Sequence, residues 1–335
     1  MKTKRLISTL LFAGLLASCG TIEELTYDEL RPANYSFPQR IRKVGIVNNA
    51  PPTANHRRDI VTIGTIDGDG KQTCESLAEV LADSRYFNEV IICDSAFRDK
   101  DTQSAFRTFT KEEVGQMSYD LGVDLILSLD LVKVEIQKKA IGKVPWAYQT
   151  LQTKVTPVLH AYMPDRNKPL LVISVPDSLE WEYDPLISDK FIVEEMAHAA
   201  ALTLGHAIVP YWMPATRLYF DGGSVDMRDA GVSVRMDDWQ EAKELWEKIY
   251  SSTKSVKERT KAAYNLALAN EMLGDMSEAD RWIGLALDIA PKGSDIERYC
   301  KLYQHQIKER ITQMSLLNAQ MERFRNKLQS TPNSK

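Results

Sequence analysis

The stretch Leu125–Leu131, LILSLDL, constrains this chain more than any other. It opens a long strand, running to Gln137, whose first half is almost wholly apolar, and it closes an alternation of strand and helix signals. Ile41–Asn49 reads as a strand because Val44, Ile46 and their neighbours are β-branched or apolar. Gln72–Phe87 carries Leu77, Val80, Leu81 and Phe87 at helical spacing, and Asn88–Asp94 is a short buried strand. Thr110 followed by Glu113 is a capping box, and the helix it opens stops at Gly122. The order β-α-β-α-β calls for parallel strands with helices packed on the sheet.

After Gln137 the period changes. Two extended runs flank MPDRNKP (163–169), and the second ends in the alternation Leu179, Trp181, Tyr183. This predicts a long antiparallel hairpin with one half-solvated face. A helix capped by Ser188 or Asp189 then runs to Pro210, and its five alanines and Gly205 permit close approach to the sheet. The expected class is therefore α+β overall. An N-terminal α/β domain, 41–220, has the order β-α-β-α-β-β-β-α around a mixed sheet, and an all-α domain, 221–335, follows it. The element order resembles the small α/β domain of envelope lipoproteins such as the curli-secretion lipoprotein, the outer-membrane activator of penicillin-binding proteins and the N-terminal domain of the Tol-system propeller protein. That is an analogy of fold and assigns no activity.

The all-α part carries the strongest internal signal. Ala262–Pro291 resembles a tetratricopeptide repeat: Leu266-Ala267 fall at the small-residue pair of its first helix, Gly274-Asp275 make the turn, and Ala279, Ile283 and Ala286 follow in its second. Ala263 and Asn270 stand where that family has Trp and Tyr. Asp237–Ser252 repeats the second helix, with Ala242 for Ala279 and Trp246 for Ile283. Two units are fewer than a solenoid needs, so the long helix Ser294–Gln329 is expected to cap the stack. The tetratricopeptide likeness implies protein binding, and Trp239, Trp246, Tyr250, Tyr264 and Asn270 are the side chains assigned to a partner.

The start of the chain sets the compartment. Lys2, Lys4 and Arg5 precede an apolar run, Leu6–Leu16, too short for the about 20 residues of a membrane span. Leu16-Ala17-Ser18-Cys19 resembles the bacterial lipobox. That resemblance implies a lipoprotein signal peptide, 1–18, cleaved before Cys19. It also implies a diacylglycerol and a fatty acyl group such as palmitate on that cysteine. More than one chain is needed for stable anchoring. Residues 19–40, acidic and broken by Pro32 and Pro38, read as a tether. Together with VPYWMPATRLYF (209–220) and the Trp/Ala-rich helices, these features resemble a Bacteroidetes outer-membrane lipoprotein family. The location this implies is the outer membrane, at its periplasmic face or on the cell surface.

Residues 1–18 hold three of the 42 basic residues and no acid, so the mature chain carries 39 basic against 46 acidic residues, a balance of −7. With no basic tract, nucleic acid is not an expected partner. After Cys19, three cysteines remain. Cys74 and Cys93 fall at one end of the sheet, either as a bridge or, as expected, as two small buried hydrophobes.

No catalytic residue, metal site or cofactor is expected. Thr65–Thr73, TIDGDGKQT, lacks the first glycine and the Ser/Thr of a phosphate loop, and it lacks the bidentate Glu of a calcium loop. His198 and His206 are eight apart, where a zinc pair on a helix wants three or four. The chain is thus expected to be a lipid-anchored, non-enzymatic scaffold or regulator of an envelope assembly. The alternative is a glycan- or peptidoglycan-binding lipoprotein using Trp146, Trp181 or Trp212.

Overall fold

The structure, a computed structural model, describes residues 22–51, 61–93, 107–142 and 148–329, with side chains to 322. Cys19 and Trp146 lie outside the described residues. In chain order the elements are β1 (Ile22–Arg31), β2 (Lys43–Asn48), β3 (Gly64–Asp67), α1 (Gly70–Asp83), β4 (Glu89–Cys93), α2 (Lys111–Leu121), β5 (Leu125–Ile141) and β6 (Tyr148–Tyr162). There follow β7 (Leu171–Ile173), β8 (Asp177–Glu182), α3 (Asp189–Ile208), β9 (Tyr211–Phe220), α4 (Val225–Arg235), α5 (Trp239–Ser252), α6 (Val256–Met272), α7 (Met276–Ile289) and α8 (Asp295–Gln329). The described chain divides into an α/β unit, Leu30–Trp212 with the helix from Met314 onward, and a helical unit, residues up to Glu29 with Met213–Gln313.

The α/β unit holds a seven-stranded mixed sheet of order β4-β2-β5-β6-β7, with β3 added to β5 and β8 to β6. β2 is parallel to β4 and β5, while β5 and β6 pair antiparallel along most of their length, with a bulge between Leu129 and Leu131. Strand alternation sends Val44, Ile46, Leu125, Leu127 and Leu129 into one core with Leu77 and Leu81 of α1 and Ala200 and Leu204 of α3. Val47 and Ile126 point the other way, onto Val114 and Met117 of α2. Both faces are covered here, which is why the run reads as continuously apolar. Beyond the bulge only Val132, Val134 and Ile136 are buried, and Lys133, Glu135 and Gln137 are exposed.

Helix α3 meets α1 at Gly205. A Cβ on Gly205 would collide with Cγ1 of Val80, a β-branched side chain with little rotamer freedom in a helix. Gly205→Ala is expected to cost about 1–3 kcal/mol as overpacking. A denaturation midpoint equal to that of the parent would show that α1 and α3 can part without penalty. In the same unit Gln320 clamps the loop after β1: it accepts from Ala33 N and donates to Ala33 O, both at 2.9 Å.

Three expectations are revised. Residues 22–31 of the expected tether form β1, paired with β9. Leu25, Tyr27 and Glu29 are the less exposed alternation and Glu24, Thr26 and Asp28 the exposed one, a period of two hidden by the acidic composition. The second arm of the hairpin is split into β7 and β8. Residues 211–220 form a strand beyond the helix expected to end the order β-α-β-α-β-β-β-α. As expected, Cys74 and Cys93 form no bridge: both are free thiols, as is Cys300. Cys74 lies in the core under α1 and Cys93 packs with the α2 side, so the sheet separates them.

Candidate functional site

The helical unit is built from two hairpins, α4–α5 and α6–α7, whose turns repeat 37 residues apart (238 and 275). Asp237 and Gly274 both take positive φ, 60° and 86°. The next residues, Asp238 and Asp275, have φ/ψ of −91/78 and −92/80. Their amides bond Ser233 O (2.9 Å) and Asn270 O (2.8 Å), and their carboxylates cap Glu241 N and Glu278 N, both at 3.0 Å. Glycine at 274 takes the left-handed turn without a Cβ penalty, and Asp237 takes it as one of the few side chains that tolerate it.

The inner face of α6 is filled by the chain's own extended segment. Phe220 N donates to Asn265 Oδ1 (2.9 Å), and Asn265 Nδ2 donates back to Phe220 O (2.8 Å). Arg217 forks onto Glu271, Nε to Oε2 at 3.0 Å and Nη2 to Oε1 at 2.7 Å. Lys261 reaches Gly222 O (3.5 Å), and Arg228 reaches Gly223 O (2.7 Å). Around the fork, Tyr27 and Tyr303 donate to Glu271 at 3.1 and 2.6 Å. Glu29 lies 3.4 Å from Arg217 and 3.6 Å from Arg310.

Arg217, Glu271 and Glu29 are all buried, so the charges offset one another away from water. Burial alone would lower the pKa of Arg217, but the hydrogen bonds and charge of Glu271 outweigh it and raise it. Tyr303 is pushed well up by burial and by the charge of Glu271. Such a cluster fastens β1, β9, α6 and α8 together.

Four of the five side chains assigned to a partner are buried. Trp246 is fully buried, Tyr264 packs on Phe220 and Tyr303, and Asn270 is buried with its Oδ1 accepting from Lys243. Trp239 is buried with its Nε1 donating to Asp237 (2.6 Å). These are core residues, large or small according to the gap between helices, and their aromatic character reflects packing. Tyr250 alone of the five keeps part of its surface in solvent. It meets Trp282 edge-on, with ring centroids 5.0 Å apart, and Arg281 lies 4.6 Å over the other ring.

A second polar cluster sits in the α/β unit, at the carboxyl ends of β2 and the parallel part of β5. His160 Nδ1 is 2.6 Å from Asp130 Oδ2. Asp130 Oδ1 accepts from Asn49 Nδ2 (2.5 Å) and Ser128 Oγ (2.9 Å). All four are buried. The sequence signal for this cluster was Ser128 and Asp130 interrupting an apolar strand, with His160 directly opposite Ser128 on β6. Asp69 caps α1 by accepting from Gln72 N (2.9 Å), which is a structural use of the Asp/Gly-rich loop. His198 bonds Ser76 (3.0 Å), and His206 stacks on Tyr211. Among the described residues no three side chains are grouped to hold a metal, and no helix is long and apolar enough to cross a membrane. Trp181 is half-buried against Phe191, and Trp212 is 67% exposed.

Residues 41–220 match the family model described as a domain of unknown function (DUF8603). The chain belongs to the DUF8603 family. The matched span runs from two residues before β2 to the last residue of β9, so this family's domain includes the strand that the helical hairpins hold. Residues 228–309 match a second model, a domain of unknown function (DUF6340). No curated protein matches the chain in sequence. Among solved structures, the PelC dodecamer from Paraburkholderia phytofirmans is similar at 9% identity and a TM-score of 0.26, over 57% of this chain and 99% of that one. Two bacterial lipoproteins are also similar. The rare lipoprotein B from Shewanella oneidensis has 11% identity and a TM-score of 0.24, over 48% and 90% of the two chains. A minor lipoprotein from Acinetobacter baumannii has 7% identity and a TM-score of 0.24, over 49% and 91%. Likeness at these scores carries no functional argument.

Proposed function

We propose that this protein is a lipid-anchored scaffold of the bacterial cell envelope, held at the outer membrane through Cys19, that binds another envelope protein on its tetratricopeptide-like helices. The carrying observation is the stack Tyr250–Trp282–Arg281 on α5 and α7. It combines the three residue types that dominate binding hot spots, and Tyr250 and Arg281 both reach solvent. Because the inner face of α6 holds β9, the surface left to a partner is the α5–α7 side. The lipobox supports the anchor.

Two measurements test the reading. Cys19→Ala is expected to move the protein from the membrane fraction to the soluble fraction, since the acyl chains are its hold on the bilayer; continued membrane association removes the anchor from the proposal. A photo-crosslinking residue at position 250, activated in native membranes, is expected to trap one specific protein. Failure to trap any protein at that position, with the chain folded and anchored, removes the partner.

A further inference from the structure

The edges of the mixed sheet differ in how they are guarded. β8, at one margin, alternates half-buried Leu179 and Trp181 with exposed Ser178, Glu180 and Glu182. β7 and β3 are only three and four residues long. Charge and shortness are how a sheet keeps its edges from pairing with other chains. β4, at the opposite margin, has the sequence Glu-Val-Ile-Ile-Cys, with no lysine and no proline. Its ladder to β2 runs without a bulge from Lys43–Glu89 to Val47–Cys93. Its one charge, Glu89, is matched within the chain by Lys43 at 2.5 Å. Among the described residues no strand pairs the other edge of β4, where alternate residues turn their N–H and C=O outward.

The side chains of β4 divide between the two cores of the unit. Val90 and Ile92 pack on the core under α1 and α3, and Ile91 and Cys93 on the one under α2. All four remain half-buried, so both cores run out to this edge incompletely covered. Charge and symmetry decide what fits there. Antiparallel pairing of β4 with the same strand of a second copy, in the register that uses its whole length, puts Ile91 on a two-fold axis. Val90 then faces Ile92 of the second copy, and Glu89 faces Cys93 of the second copy. No like charges meet, and β-branched side chains oppose one another through the centre of the pair. The same operation on β8 sets Asp177 against Glu182 at both ends, a like-charge pair that opposes association. β4 therefore accepts a copy of itself where β8 rejects one.

We infer that the protein forms a two-fold dimer through β4, in which the mixed sheets of two copies join edge to edge. The axis is perpendicular to the sheet, so each core continues into its counterpart in the second copy. Pairing uses up the free edge of both β4 strands, which closes the assembly at this edge with two copies. The contact belongs to the α/β unit. It depends neither on the Cys19 anchor nor on the surface at Tyr250 proposed for another protein.

Cross-linking of the full chain in native membranes tests the dimer. Glu89→Cys changes an exposed residue and leaves the native Cys93 in place. Within one strand positions 89 and 93 are about 13 Å apart, beyond the about 7 Å between Cα atoms that a disulfide spans, so a bridge between them joins two copies. On mild oxidation Glu89→Cys is expected to give a product of twice the monomer mass. Its yield should exceed several-fold that from Tyr119→Cys, a reference position 84% exposed on α2. Adding Cys93→Ser should abolish the product. The unaltered chain, extracted in detergent, is expected to sediment as a dimer. A Glu89→Cys product no stronger than the reference, or one indifferent to Cys93→Ser, overturns the inference, and so does sedimentation as a monomer. Capture of a different protein at position 89 in place of a second copy overturns it as well.

Discussion

Arg217→Met is expected to destabilise the helical unit by about 3–5 kcal/mol, because it leaves Glu271 buried without its cation. The measurement is urea unfolding of the full chain followed by the fluorescence of the tryptophans on α5 and α7. The cause can be separated from simple loss of packing. In Arg217→Met combined with Glu271→Leu, both members of the bidentate pair are replaced by apolar groups of similar reach. The double variant should lose much less than the sum of the two single losses, since replacing both partners removes the uncompensated charge. A loss below about 1 kcal/mol for Arg217→Met alone would mean that water reaches the cluster and that the pair behaves as a surface bridge.

Trp246→Ala is expected to cost about 3–5 kcal/mol, the range for deleting a large aromatic from a packed core. Trp246→Phe should cost far less. It keeps most of the apolar volume, and the indole N–H finds no partner among the described residues, so its removal forfeits no bond to the chain. The comparison distinguishes a core residue from a binding residue. If Trp246 met a partner, Ala would abolish binding and leave the unfolding curve in place; if it is core, the curve itself moves. An unshifted midpoint for Trp246→Ala would restore it to the surface.

The α/β unit was readable because its signals are local. The capping box at Thr110 and Glu113 forms with both bonds, Thr110 N donating to Glu113 and Glu113 N to Thr110, and Gly122 ends the helix at φ 64°. The apolar run Leu125–Leu131 is the strand shared by the two cores. The helical hairpins were equally legible from the alanine positions, all of which are buried contacts. What sequence reasoning missed depends on distant pairing. Glu29 looked like one more acid of a tether because its partner, Arg217, lies far along the chain and both are buried only together. Tyr264 of α6 looked available because nothing in its own sequence shows that Phe220 of β9 packs on it. Asp130 was passed over inside a strand motif, although a buried acid in an apolar strand requires donors, and Asn49, Ser128 and His160 supply them.

The grip of α6 on its own chain has a metric consequence. Arg217, Phe220, Gly222 and Ser224 meet Glu271, Asn265, Lys261 and Glu258 in descending order. A strand advances about 3.3 Å per residue and a helix about 1.5 Å, so each strand residue travels past two of the helix. The two elements act as a vernier. Phe220, Gly222 and Gly223 are gripped through backbone atoms, which are indifferent to side-chain identity, whereas Arg217 alone is gripped by its charge. The series is therefore most sensitive to the insertion or deletion of a single residue between 217 and 224. Such a change would slide every later contact by about 3 Å and unfasten the series at once.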